Sequence, residues 1–363
     1  MKLIFFVQGE GRGHMSQALT LKEKLESRGH EISRVFIGAK NKEDLPAFFK
    51  SAFTCPIEIL NSPGFKVDKK NQGIMIAKSV FSSFLHSLRY LRSVNKIKKI
   101  IKNYEPDALI SFYEPLVGAY LRLYRDKRPT FFIGHQYFMD HPAFNSFFKT
   151  LVVKKVFKIY NLFTAPTKNI KIALSFSEEK DLPKKNLFVC PPLIRKEVKG
   201  LSQDENFYLL YLLNHGYSER IISWSNSNPG IRIEAFRKQS GEEEKKISQD
   251  LSFHNLNGEK FLAFLKNCKA YISTAGFDSI AEAAYLGKRI MMVPTKNHFE
   301  QEHNAIDAER AKIALKAKDF DLSLINNCSQ EKFSGLEKYK SWHDKNEDKI
   351  IELIENFGSK KIK

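Results

Sequence analysis

Ser273-Thr274-Ala275-Gly276-Phe277-Asp278-Ser279-Ile280-Ala281-Glu282-Ala283-Ala284-Tyr285-Leu286-Gly287 is the stretch on which the reading of this chain turns. It closes an apolar run, Ala270–Ser273, and opens a segment, Asp278–Leu286, whose apolar residues recur at helical spacing. The local plan is strand, small-residue turn, helix. Small residues let a backbone approach a ligand closely, and the N–H groups at a helix start attract anions. The amides and hydroxyls of Ser273, Thr274, Ala275, Gly276 and Ser279 can therefore cradle a diphosphate. Glu282, about one turn inside the helix, can accept hydrogen bonds from both hydroxyls of a ribose. Taken alone, the stretch also reads as a capped helix carrying a solvated glutamate.

The chain continues with a second strand, Ile290–Val293, stopped by Pro294. A loop from Thr295 to Phe299 then delivers Glu300 and Gln301 to the start of a helix expected over Gln301–Lys312. Two adjacent polar side chains suit the vicinal hydroxyls of a sugar. Working back, the same half begins with the apolar run Phe207–Leu213 and the polar turn Asn214-His215-Gly216. A strand at Ile231–Phe236 follows, then Phe253-His254 ahead of a helix over Gly258–Asn267.

The first half has the same grammar. Residues 3–7 are apolar, Gly9-Glu10-Gly11-Arg12-Gly13-His14 follows, and a helical pattern runs from Ser16 to Arg28. Glu31–Ile37 reads as the next strand, and the runs Ala108–Phe112, Thr130–Ile133 and Leu162–Ala165 read as further strands of parallel βα units. Asn186–Val189 and the break Cys190-Pro191-Pro192 end this half, and the charged stretch Arg195–Glu205 reads as the linker. The expected layout is an N-terminal domain over 1–195, a nucleotide-binding domain over 196–345, and a C-terminal helix with a basic tail over 346–363. Two Rossmann-like α/β domains in tandem imply a cleft lined by the C-terminal ends of both sets of strands.

The glycine loop is not a dinucleotide fingerprint, because G-x-G-x-x-G needs glycine at position 14, where His14 stands. An imidazole at that place can take a proton from a hydroxyl nucleophile. A helix N-terminus beside it would lower its pKa and keep it neutral.

With 363 residues and 42% apolar content, the chain can bury two cores. Its formal charge of +18 favours polyanionic surroundings: nucleic acid, anionic lipid or phosphorylated substrates. Cys55, Cys190, Cys268 and Cys328 are scattered without a C-x-x-C pair or zinc spacing, which reads as reduced thiols in a cytosolic protein. No D-x-D pair is positioned as a metal site. The N-terminal apolar run is too short for a signal peptide, and no window could span a bilayer. Between Lys66 and Glu105 stand ten Lys and Arg, with Phe81, Phe84, Leu85 and Leu88 on one helical face and Ile97, Ile100, Ile101 and Tyr104 on another. Ala143–Tyr160 similarly mixes Phe144, Phe147, Phe148, Val152, Val156 and Phe157 with Lys149, Lys154, Lys155 and Lys158. Such helices either cover a core or lie on an anionic membrane.

The stretches from Ser273 to Ala305 together resemble the nucleotide-sugar site of GT-B glycosyltransferases. Glu282-Ala283, Gly287, Pro294, Glu300-Gln301 and Asn304-Ala305 keep that family's pattern, and Arg289 departs from it where proline is usual. The Gly-x-Gly-x-Gly-His opening resembles the family's acceptor-side loop. The likeness is strongest to the UDP-glucuronosyltransferase-like, family 1 group. More distant likenesses are the peptidoglycan GlcNAc transferase and the diacylglycerol galactosyltransferases. The resemblance implies α/β GT-B architecture and metal-independent, inverting transfer of a hexose from a UDP-sugar to a hydroxyl acceptor. No cofactor is implied; the UDP-sugar is a co-substrate. It implies His14 as catalytic base, with Gly11, Gly13, Glu114 and His135 on the acceptor side. It implies donor contacts from Asn214, His215, Gly216, Phe253, His254, Ser273, Thr274, Ala275, Gly276, Ser279, Glu282, Glu300 and Gln301. A lipid or glycan acceptor and a cytoplasmic place at the inner membrane face go with it; nucleic acid does not. A nucleotide-sugar epimerase of the same fold and, remotely, a basic nucleic-acid-binding protein are the alternatives.

Overall fold

The computed structural model describes residues 1–9, 12–63, 87–147, 151–200, 205–212, 215–238, 243–296 and 298–358. Gly11, Phe81, Phe84, Leu85, Phe148, Lys149 and Asn214 lie outside the described residues, as do the side chains of Phe147, Val152, Lys154, Val156, Phe157 and His215. The chain forms two compact units. The described residues up to Leu193, together with those from Lys345, make the first, and those from Ile194 to Asp344 make the second.

In the first unit the strands are β1 (Lys2–Val7), β2 (Glu31–Gly38), β3 (Ile57–Leu60), β4 (Ala108–Phe112), β5 (Thr130–Gly134), β6 (Ile170–Leu174) and β7 (Leu187–Cys190). They form a parallel sheet in the order β3-β2-β1-β4-β5-β6-β7. Strands covered by helices on both faces need near-continuous apolar runs, and every residue of β4 and β5 is buried. Much of the phenylalanine goes here: Phe6 stacks on Phe36 at 4.8 Å, and Phe5 meets Phe112 edge-on at 5.3 Å. The helices are α1 (Gly13–Ser27), α2 (Ser87–Tyr104), α3 (Pro115–Tyr124) and α4 (Leu151–Thr164). Gly118 lets α3 approach α4 closely. A Cβ there would stand 2.2 Å from the Phe163 carbonyl oxygen and 2.4 Å from that of Thr164.

In the second unit the strands are β8 (Phe207–Tyr211), β9 (Arg232–Phe236), β10 (Glu244–Lys246), β11 (Leu251–His254), β12 (Ala270–Ser273), β13 (Arg289–Met292) and β14 (Leu315–Lys316). Their order is β10-β11-β9-β8-β12-β13-β14, parallel except for β10. Helices α5 (Ser218–Ser227), α6 (Gly258–Asn267), α7 (Phe277–Tyr285), α8 (Phe299–Arg310) and α9 (Leu336–Lys345) accompany them.

Helix α10 (Lys349–Gly358) belongs to the first unit. Lys24 meets Glu347 at 2.5 Å, Arg28 meets Asp348 at 2.8 Å, and His30 meets Glu355 at 3.0 Å. Lys349 donates to the Val189 carbonyl at 2.8 Å, and Phe357 packs on Phe188.

One expected strand is corrected. Leu162–Ala165 is not a strand: Leu162, Phe163 and Thr164 are the last residues of α4, and the sheet takes Ile170–Leu174 instead. A short stretch such as Leu-Phe-Thr-Ala fits the end of a helix as well as a strand. Helix α1 also starts at Gly13, three residues ahead of the expected Ser16, so His14 lies in its first turn.

Candidate active site

Ligands of open α/β sheets bind outside the C-terminal ends of the strands, where the strand order reverses. Each unit has such a place. In the second it lies between β8 and β12, and in the first between β1 and β4.

Beside β8 in the second unit, the backbone turns after β12 through Ala275, whose φ is +63°. A residue with a Cβ pays about 1–2 kcal/mol for that conformation. Ala275 is fully buried, and its carbonyl accepts from Asn304 Nδ2 at 2.9 Å. That bond joins the turn to α8 and brings together the two stretches that the sequence sets about thirty residues apart. Gly276 caps α7 with no side chain over the helix end, and a Cβ there would find only Ser279 Oγ, at 3.7 Å. There is therefore room at the start of α7 for a ligand to approach the backbone. Ser273 and Thr274 are buried at the strand end, and Ser279 Oγ accepts from the Tyr271 hydroxyl at 2.8 Å.

Glu282 is 4% exposed, and its carboxylate is not solvated. Arg195 grips it with both arms: Nε to Oε1 at 2.6 Å and Nη2 to Oε2 at 2.7 Å. A carboxylate has about four acceptor positions, so this grip leaves capacity for other donors. Sequence reasoning misses Arg195 as part of the site, because the charged stretch around it reads as linker.

At the head of α8, His298 caps the helix and its Nδ1 accepts the Gln301 N–H at 3.4 Å. Burial pushes its imidazole down to about 4, so it stays neutral near pH 7. Gln301 is buried, and its Oε1 accepts the Thr295 N–H at 2.8 Å, which fixes the side-chain amide. Glu300 is half-buried beside it.

On the other side of β8, Gly216 lies in the turn His215–Tyr217 that leads into α5. Phe253 and His254 end β11. The Phe253 ring is buried under the Arg237 guanidinium, 4.1 Å away. His254 is also buried, with Nε2 2.6 Å from Glu234 Oε2 and its carbonyl accepting the Arg237 N–H at 3.0 Å. Its side chain and its carbonyl are thus engaged within the unit.

In the first unit, His14 follows β1 and Tyr113-Glu114 follow β4. Gln8 N–H donates to the Phe112 carbonyl at 3.2 Å, tying the two strand exits together. His14 is 9% exposed. Burial pushes its imidazole down to about 4, opposed by Gln17 one turn along. The sequence points to a lowered value through the helix start, but burial is the main cause. Glu114 is fully buried as the cap of α3: its Oε1 accepts the Leu116 N–H at 3.1 Å and the Ser62 hydroxyl at 2.5 Å. His135 is buried among Phe138, Phe144 and Phe176, with Nδ1 2.8 Å from the Leu174 carbonyl. Gly13 is the first residue of α1. Among the described residues, no cluster of three or more His, Cys, Asp and Glu is placed to hold a metal ion.

Residues 1–330 match the family model for glycosyl transferase family 1. The chain belongs to that family. This glycosyltransferase is 26% identical over 338 residues to an uncharacterized glycosyltransferase of Methanosarcina acetivorans, covering 86% of this chain and 82% of that one. It is 22% identical over 405 residues to the Porphyromonas gingivalis UDP-N-acetylglucosamine–N-acetylmuramyl-(pentapeptide) pyrophosphoryl-undecaprenol N-acetylglucosamine transferase, covering 98% and 97% of the two chains. Among solved structures, an Arabidopsis thaliana protein complexed with UDP matches with a TM-score of 0.66 at 15% identity, over 98% of this chain and 99% of that one. The glycosyltransferase has the GT-B fold of these structures. The matched family and the relatives named are transferases, and they give no support to an epimerase on the same fold.

Proposed function

We propose that this glycosyltransferase moves a hexose or hexose derivative from a UDP-sugar to a hydroxyl acceptor with inversion at the anomeric carbon. The observation that carries the reading is the Asn304–Ala275 bond, which joins the start of α7 to the Glu300-Gln301 end of α8. A diphosphate suits the first, a sugar suits the second, and Glu282 stands one turn further for the ribose. His14 takes the acceptor hydroxyl proton as the acceptor oxygen bonds to the anomeric carbon. The bond from that carbon to the phosphate oxygen breaks, and the electron pair leaves with UDP. The α7 amides meet the charge that develops on the diphosphate, an electrostatic role. The Arabidopsis thaliana structure holds UDP, and a spinosyn rhamnosyltransferase structure holds thymidine diphosphate. Melting curves with UDP, dTDP and GDP test the donor: UDP at about a hundred times its Kd stabilises by about 2.7 kcal/mol. Absence of a shift with every nucleoside diphosphate at millimolar concentration refutes the reading.

An acceptor at an anionic membrane surface is part of the same proposal. Of the faces marked in the sequence, Ile97, Ile101 and Phe144 are buried in the core. Leu88 and Leu91 on α2, Leu123 on α3, and Ile159, Leu162 and Phe163 on α4 are exposed. The Tyr124 hydroxyl on Asn95 and Arg122 on the Leu162 and Phe163 carbonyls tie these helices together. Exposed Arg89, Arg92, Lys98, Lys99, Lys155 and Lys158 lie on α2 and α4. Apolar residues beside lysines and arginines suit a lipid interface. Among the described residues, no helix is long and apolar enough to cross a membrane. Flotation with phosphatidylglycerol vesicles is expected to carry the protein, less so in high salt and less so for Ile159→Glu/Leu162→Glu. Equal flotation with neutral phosphatidylcholine vesicles would count against it.

A further inference from the structure

Tyr113 leaves β4 with φ at +58°, in the left-handed region. A ring-bearing residue there is an outlier, and such a conformation persists only where the surroundings over-determine it. They do so here. The Tyr113 hydroxyl donates to Asn161 Oδ1 at 2.8 Å, and Asn161 Nδ2 donates to the Gln136 carbonyl at 2.8 Å. Tyr137 meets the ring edge-on at 5.3 Å, Tyr160 tilts against it at 5.8 Å, and the Tyr113 backbone bridges to Val7. One further face of the ring lies against His14, with centroids 6.1 Å apart and planes 24° apart, an offset stack.

We propose that Tyr113 is the positioning residue of His14: its left-handed backbone turns the ring onto the imidazole and fixes the plane in which that imidazole meets an acceptor hydroxyl. Glycine would take the same φ without strain but would bring no ring, which explains why a strained tyrosine occupies the turn. The anchor of the ring lies on α4 through Asn161, so the imidazole orientation depends on three separate elements: α1, the β4 exit and α4. The proposal rests on His14 acting as the base. The ring also keeps water from the imidazole, in keeping with burial as the main cause of its lowered basicity.

Histidine-labelled protein, with the His14 resonance assigned by His14→Gln, supplies the test. Tyr113→Gly relieves the backbone and opens the imidazole to water, so the His14 titration is expected to rise by about one pH unit or more. Tyr113→Phe loses the bond to Asn161 but keeps the ring and its contacts with Tyr137 and Tyr160, and is expected to shift the titration much less than the glycine or leucine variant. Tyr113→Leu fills the space without an aromatic face and provides the reading if the glycine variant does not fold. In transfer assays the glycine and leucine variants are expected to lose kcat with KM little changed. An unchanged His14 titration in both the glycine and leucine variants, or an equal shift in Tyr113→Phe, overturns the proposal. The two readings separate cleanly. Retained transfer in His14→Ala removes the base assignment, whereas the titration alone decides whether Tyr113 holds the imidazole.

Discussion

Replacing His14 by alanine is expected to lower glycosyl transfer by about 10²–10⁴-fold, the usual worth of a positioned general base, while leaving UDP binding intact. The separation follows from the fold. His14 stands at the β1 exit of the first unit, whereas the turn after β12 and the starts of α7 and α8 all belong to the second. UDP release from a UDP-sugar in the presence of a hydroxyl acceptor measures the first quantity, and calorimetry with UDP the second. Near-wild-type turnover in the alanine variant would end the assignment. The same residue leaves a mark on stability. The folded imidazole is held at about 4, below its unfolded value of 6.5. A depressed pKa contributes stability that is fully present above about pH 6.5 and is lost as pH falls toward 4, because the unfolded chain binds the proton first. The loss amounts to about 3 kcal/mol over that window. His14→Ala is therefore expected to flatten the acid side of the stability curve, as read by denaturant melts between pH 4 and 7.

Glu282→Ala is the second large effect. It strands Arg195 beside a hole where a carboxylate had been. Removing one partner of a buried pair costs about 3–5 kcal/mol. The Arg195 side chain keeps 27% of its surface exposed, so it can turn toward water, and the lower end of that range is expected. Tyr339 also senses the pair, since the Glu282 charge adds to the burial that raises its phenol. Arg195→Met frees Glu282 and removes the grip. If Glu282 binds the ribose, Glu282→Gln should lose most of the UDP-induced rise in melting temperature, whereas a 2′-deoxyribose nucleotide should bind wild type and variant more alike. Undiminished UDP binding in Glu282→Gln would show that the carboxylate serves Arg195 alone.

The parts of the protein legible from sequence are those written locally. β4 and β12 sit at the predicted positions because a strand buried on both faces must be a near-continuous apolar run. α6 has the predicted bounds, with Asn257 capping it through the Glu259 and Lys260 amides. Strands β3, β6, β10, β11 and β14 escape a sequence reading. The longest of them has five residues, and β10, Glu-Lys-Lys, is wholly exposed and carries no apolar signal. The candidate residues from Ser273 to Asn304 are legible as a group because two strand-turn-helix units in succession hold them. Arg195 is not, because it lies 87 residues from the carboxylate it holds. Tyr113 reads only as a strand end, since nothing in the sequence marks a left-handed tyrosine. His298 does carry a faint signal, a polar residue in the capping place before Phe299-Glu300-Gln301, but histidine is an uncommon cap.

The return of α10 to the first unit has a consequence for protein engineering. Because Lys24, Arg28 and His30 pair with Glu347, Asp348 and Glu355, a chain truncated after Leu193 lacks one wall of its own fold. Exchanging the second unit between relatives must therefore be done as a cassette over Ile194–Asp344, with two splice points, and a hybrid made by a single crossover would inherit mismatched ends.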